Sequence, residues 1–228
     1  MNIIIQIIVG FILADILTGV FHWFEDTYLD YCIDVPILSE ISKDNELHHY
    51  FPRAMIAYSY YDHVSMSLPL SLLIFSLLYI FCKKHIYKYP YLYITLFGFS
   101  IIANIVHRFS HLRECETSII LKFLQKIGIF CSHEQHKLHH QLSNEKYCVI
   151  SGYSNYVLDN IYFWRFLENT IFMIFGVSPS RKMGYNDYVE IHNYMHKNNK
   201  LECPDTPNLN DVKILKENLK EFKKCINI

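Results

Sequence analysis

The sequence predicts an all-α fold: an integral membrane helical bundle of about three transmembrane helices plus interfacial helices that carry a histidine-rich site. Three observations predict it. Apolar residues make up 51% of the chain and gather into blocks, although 19% of residues are charged. Shorter apolar segments keep a single polar stripe at helical spacing. Thirteen histidines are present, and most fall in clusters near the ends of the long blocks.

Ile3 to Phe24 is the first block, and at about 1.5 Å per residue it covers a hydrocarbon core of about 30 Å. It does not read as a signal peptide, since no basic residue precedes it and no small-residue cleavage site follows. Asp15, Thr18 and His22 lie inside it. Polar groups at that depth are costly, so they mark a face turned to the interior of a bundle. Val64 to Cys82 is the second span and ends on Lys83, Lys84 and Lys88. Tyr91 to Val106 is the third, with Tyr87, Tyr89, Tyr91 and Tyr93 as an interfacial aromatic belt. Three spans place the end of the first, the start of the second and the end of the third on one side, where most histidines fall.

Two later apolar segments read differently. Lys122, Gln125 and Lys126 form one stripe within Ile119 to Cys131, and Arg165, Glu168 and Asn169 form another within Ile161 to Phe175. That is the pattern of helices lying in the membrane interface. Residues 192–210 are polar, contain Pro204 and Pro207, and read as a linker. Val212, Leu215, Leu219, Phe222 and Ile226 then recur at helical spacing among five lysines. This is either a helix touching the protein or anionic lipid, or a solvated tail. The expected division is a membrane domain over 1–190 and a polar linker with a basic amphipathic helix over 191–228.

The net charge of −1 gives no bulk attraction for nucleic acid. Seven scattered cysteines without a CxxC pair argue against a disulfide framework or a thiolate zinc site, and suit a reducing compartment.

The histidines form four clusters: His22 with Asp26 one turn later, adjacent His48 and His49, His107 with His111, and His136 with His139 and His140. On a helix, positions three or four apart share a face, so HxxxH and HxxHH can each aim imidazoles at one metal. Asp15, Gly19, His22 and Asp26 make a single stripe, and the glycine allows a neighbouring helix to come close. One ion rarely takes more than about four imidazoles, so eight suggest two ions. Imidazole suits iron, zinc or copper; the scarcity of carboxylates and thiolate motifs disfavours magnesium, calcium or an iron–sulfur cluster. Spacing does not choose between iron and zinc. His63, His85, His192 and His196 read as ordinary polar groups, and His133 stands three residues before His136.

From residue 13 to 168 the motifs run in order: LADILTGVFHWFEDT, HHYFPRAM, HRFSH, LQKIGIFCSHEQHKLHH and YCVISGYSNYVLDNIYFWRFLE. In these the chain resembles the plasmanylethanolamine desaturase family, also called the Kua or lipid desaturase family, which includes a plant plastid desaturase. The resemblance implies two iron ions held by His22, His48, His49, His107, His111, His136, His139 and His140, with Asp26 an essential partner. It implies O2 as co-substrate, a membrane phospholipid substrate, and electrons from a donor such as cytochrome b5 and its reductase. The product is a vinyl ether made from 1-O-alkyl phospholipid in animal and bacterial members, and a trans bond in a phospholipid-bound acyl chain in the plant member. Three departures stand out. The usual FREHH reads NELHH, the stretch resembling ETNGD reads DHVSMS, and Phe24 replaces a glycine.

An unactivated methylene does not yield to an acid or base near pH 7, so a cofactor must carry the hard step. Asp26 and Asp15 are expected to accept the second N–H of a ligating imidazole. Asn155 and Asp159 are further candidates for supporting the site. The rival readings are a hydroxylase on the same metal site, and a non-enzymatic membrane protein with histidine-ligated haem or zinc. No transit peptide precedes the first span, and the free-looking cysteines need a reducing side. The expectation is therefore the endoplasmic reticulum with the histidine face cytosolic.

Overall fold

The computed structural model describes residues 1–33, 35–142, 144–180 and 185–226, and regular structure among them is entirely helical. Helix α1 (Ile3–Tyr28) starts where the Asn2 side chain accepts the Ile4 amide at 2.8 Å, which satisfies one of the unpaired donors of a helix start. Helix α2 (Pro36–Tyr50) has proline in its first turn and stops before Pro52, whose ring disfavours helix in the preceding residue. A short 3-10 turn over Pro52–Ala57 leads to α3 (Tyr60–Lys88). There Ser59 and Asp62 form a reciprocal capping box.

Helices α1 and α3 are each long and apolar enough to cross a membrane. Where the third span was expected, two shorter helices stand, which reach a span's length and apolarity only together. They are α4 (Pro90–Ile101) and α5 (Ala103–Ser110), which meet at 52°. Just before the break the Ser100 hydroxyl bonds back to the Leu96 carbonyl at 2.8 Å, a pattern that bends helices. The chain continues through α6 (Ile119–Lys126), α7 (His133–Leu142), α8 (Tyr153–Asn160), α9 (Phe163–Phe175), α10 (Tyr185–Lys197) and α11 (Leu209–Ile226). Helix α6 turns Ile119, Ile120 and Phe123 outward, and α9 does the same with Phe166, Phe172 and Met173. In α6 this apolar face beside the exposed Lys122 and Lys126 fits the interfacial placement, whereas in α9 the expected polar stripe turns inward, with Glu168 buried and paired with Arg165.

Contacts divide the chain into two interleaved units. One holds 1–21, 59–136 and 146–157; the other holds 22–58, 137–145 and 158–228, so α1, α7 and α8 contribute residues to both. In the first unit Ala14, Leu96 and Ile150 are buried with Phe11, Leu17, Phe75 and Phe99 around them. Two glycines of α1 permit close approach there. A Cβ at Gly10 would stand 2.4 Å from the Leu92 carbonyl, and one at Gly19 would stand 2.5 Å from Cys148 Sγ. The close neighbour of Gly19 is thus the non-helical segment around Cys148, not another helix.

In the second unit, Leu47, Tyr50 and Phe51 share a buried cluster with Ile191, Met195, Val212, Leu215, Leu219 and Phe222. Two sequence expectations change as a result. Residues 192–197 belong to α10 rather than a linker, because Ile191 and Met195 are buried one helical turn apart. Helix α11 packs against α2 and α10 and is not a solvated tail; the Ile226 side chain lies outside the described residues.

Candidate metal centre

In the first unit, α5 presents His107, and His111 follows at its C-terminal cap. Helix α7 presents His136; its start is fixed by a capping box in which Gln135 N–H donates to Ser132 Oγ and Ser132 N–H donates to Gln135 Oε1. The His133 Nδ1–H donates to the Ser110 carbonyl at 2.8 Å and ties α7 to the end of α5. All three cluster histidines are buried. Each offers a nitrogen within 4.8 Å of the others, and the Nε2 atoms of His107 and His136 are 2.8 Å apart. Two nitrogens at right angles about one ion with bonds near 2.1 Å would lie about 3.0 Å apart, so this spacing suits a shared metal.

The second unit holds a tighter group. The Asp26 carboxylate lies 3.0 Å from His49 Nε2, 3.1 Å from His139 Nε2 and 3.5 Å from His22 Nε2. All four side chains are buried, and one donor atom from each lies within 4.8 Å of the rest. His48 and His140 pack in the same unit with ring centroids 5.3 Å apart. Helix geometry explains the assembly: His22 and Asp26 are one turn apart on α1, and His48 and His49 close the last turn of α2.

One detail separates this group from an ordinary buried network. His139 Nδ1 stands 2.8 Å from the Glu145 carbonyl, and a carbonyl only accepts, so Nδ1 carries the proton. The neutral ring then turns the Nε2 lone pair toward Asp26 Oδ2. Two lone-pair atoms at 3.1 Å repel unless a cation lies between them. Without a metal, His139 would have to be an imidazolium to donate to Asp26 as well as to Glu145, whereas a metal ion bound by neutral imidazoles and a carboxylate answers the contacts of His22, His49 and His139 together. The donor set therefore fits a nitrogen-rich divalent metal site. Cys131 does not join these donors, and burial, with Asp15 nearby, pushes its thiol up to about 12. The six described cysteines are all free.

The remaining candidates hold structure. Asp15 does not face an imidazole. Its carboxylate accepts the amides of Ile150 (3.1 Å), Ser151 (2.9 Å) and Ser154 (3.2 Å) and the Ser151 hydroxyl (2.9 Å), clasping the segment that precedes α8. It is satisfied there because this loop has amides unclaimed by a helix, whereas the imidazole cluster lies farther along α1. Asn155 bonds both ways with the Cys148 backbone at 2.9 Å. Asp159 accepts Trp164 Nε1–H at 2.8 Å, and Trp164 stacks on Trp23 beside His22. One contributor escaped the sequence reading: Asn45 donates to Asp26 Oδ1 at 2.8 Å and aims that carboxylate. Its only signal was its place three residues before His48. Of the histidines read as ordinary, His63 is buried within α3, His85 meets the Tyr93 hydroxyl at 3.1 Å, His192 reaches the Tyr50 carbonyl at 3.3 Å, and His196 is exposed.

Comparison with known proteins agrees with this geometry. The lipid desaturase domain model matches residues 11–182. A probable fatty acid desaturase of Acanthamoeba polyphaga mimivirus is 31% identical over 78% of this chain and 86% of its own. Plasmanylethanolamine desaturase 1 of Mus musculus is 27% identical over 78% of this chain and 68% of its own. The chloroplastic fatty acid desaturase 4-like 2 of Arabidopsis thaliana is 27% identical over 75% of this chain but only 60% of its own, so the chain spans less than two thirds of that plant relative. No solved structure matches. The domain match carries all eight clustered histidines and Asp26, and on that ground the chain belongs to the lipid desaturase family.

Proposed function

We propose that this chain is an O2-dependent di-iron membrane desaturase that converts 1-O-alkyl ethanolamine phospholipid to its vinyl ether. The observation that carries the metal reading is the Asp26 carboxylate facing the Nε2 atoms of His22, His49 and His139. Those four residues would hold one ion. The remaining histidines of the expected set would supply the ligands of the second. Iron bound there would supply the oxidation: the two hydrogens of two adjacent C–H bonds, with two electrons from a donor and two protons from solvent, together reduce O2 to two waters.

The chain's own residues do the positioning. The Glu145 carbonyl holds His139 in the tautomer that presents Nε2, and Asn45 and the three imidazoles keep the Asp26 carboxylate facing inward. Burial of the cluster keeps bulk water from the oxidant. Electron delivery by a carrier such as cytochrome b5 and its reductase, in the endoplasmic reticulum with the histidines toward the cytosol, completes the proposal.

A second reading is favoured by the likeness to the probable fatty acid desaturase of the mimivirus: desaturation of a fatty acyl chain. Lipid analysis of plasmalogen-deficient cells expressing this chain separates the two. Acid-labile vinyl-ether lipid is the expected product. New unsaturated or hydroxylated acyl chains without vinyl ether would keep the metal chemistry and reject the plasmalogen assignment.

A further inference from the structure

Helix α2 ends in His48 and His49, yet its own apolar face is meagre; among its buried residues are Ser42, Asn45 and Glu46. Much of what holds its last turns comes from α11. Glu46 Oε1 accepts the Tyr31 amide at 2.7 Å, and Glu46 Oε2 pairs with Lys223 Nζ at 2.5 Å. Both side chains of that pair are at most 9% exposed. The Tyr31 hydroxyl donates to the Lys216 carbonyl, and Lys216 Nζ lies 2.7 Å from Asp44 Oδ1. Leu215, Leu219 and Phe222 complete the attachment in one buried cluster with Leu47 and Tyr50. Helix α11 lies wholly beyond residue 182, where the lipid desaturase match ends.

We propose that α11 is a positioning element for the metal centre: Lys223, acting through Glu46, fixes the last turns of α2 and so the aim of His48 and His49. This rests on the reading of those histidines as metal ligands. A helix that merely covered the surface would keep its lysines in water, because burying an ammonium is costly unless it is paired. Lys223 is instead buried and spent on a carboxylate two residues before His48. Removing the ammonium would leave a buried carboxyl without its counter-charge, in the helix turn that must hold two ligands still.

The test uses the full chain in detergent, with amide hydrogen exchange over residues 44–50 and affinity for ferrous iron as separate readouts. Lys223→Met is expected to speed exchange there by about tenfold and to weaken iron binding by about tenfold, as loss of one partner from a buried pair would. Lys223→Arg, which keeps the charge and the donor, should restore both to within about threefold. If Lys223→Met does not fold, Tyr31→Phe removes only the contact to the Lys216 carbonyl and should shift both readouts the same way by about threefold. Unchanged exchange, or faster exchange with iron affinity unaltered, would overturn the positioning role. If the wild-type chain binds no metal ion, the metal reading itself fails, and exchange in the metal-free protein still decides whether Lys223 fixes α2.

Discussion

Asp15 and Asp26 lie three turns apart on one helix face, and their surroundings give them different work. Asp26 meets three imidazole nitrogens, while Asp15 meets backbone amides of the segment before α8. Asp26→Asn keeps the shape but removes the charge that balances a metal ion, so metal affinity should fall on the order of 10–100-fold, measured by competition with a chromogenic chelator. Asp15→Asn should instead lower stability by about 2 kcal/mol, since an amide cannot accept at both of its polar atoms; thermal unfolding in detergent reads this. Metal loss from Asp15→Asn as deep as from Asp26→Asn would contradict the distinction. His22 with Asp26, His107 with His111, and His136 with His139 and His140 were legible in sequence because i, i+3 and i+4 spacing is itself a statement about shared faces, and His48 with His49 only as an adjacent pair. Asn45 was not, since its partner Asp26 is 19 residues away and no local spacing links them. Asp15 was misread as an imidazole partner because the stripe that unites it with His22 says nothing about which segment packs there.

Helices α1 and α3 were plain in the sequence, because a long apolar run leaves few alternatives. Helix α2 was not recognised, although it carries two cluster histidines. The positions it buries are largely polar, so its hydrophobic pattern is faint and only Pro36 and Pro52 mark its limits. The bend between α4 and α5 was hidden for the opposite reason: the run stays apolar through Ile101 and Ile102, and the break shows only in the backbone. Close approach at Gly19 gives an element-scale prediction. A Cβ there would stand 3.1 Å from Cys148 Cα as well as 2.5 Å from its sulfur, so backbone as well as side chain must shift. Gly19→Val should destabilise the protein by about 1–3 kcal/mol, as overpacking does, seen as a lower unfolding temperature. A temperature equal to wild type would show that the segment around Cys148 yields freely.

At the scale of the whole molecule, the break in composition near residue 190 is visible in sequence, but the interleaving of the two units is not. It depends on which distant segments touch, and only long-range packing decides that. The outward apolar faces of α3, α6 and α9 have no role in a water-soluble protein, and they predict that the chain partitions into membranes and resists extraction by high salt or alkaline carbonate. Release into the supernatant by carbonate would contradict the membrane reading. The account turns on the buried imidazole and carboxylate donors being a metal centre that performs oxidation. Metal analysis of the purified full chain tests this most directly. The expected result is about two iron atoms per chain, with fewer than about one remaining in His139→Ala while that variant keeps its helical content. Stoichiometric zinc in an active protein, or activity that survives complete removal of iron, would contradict it.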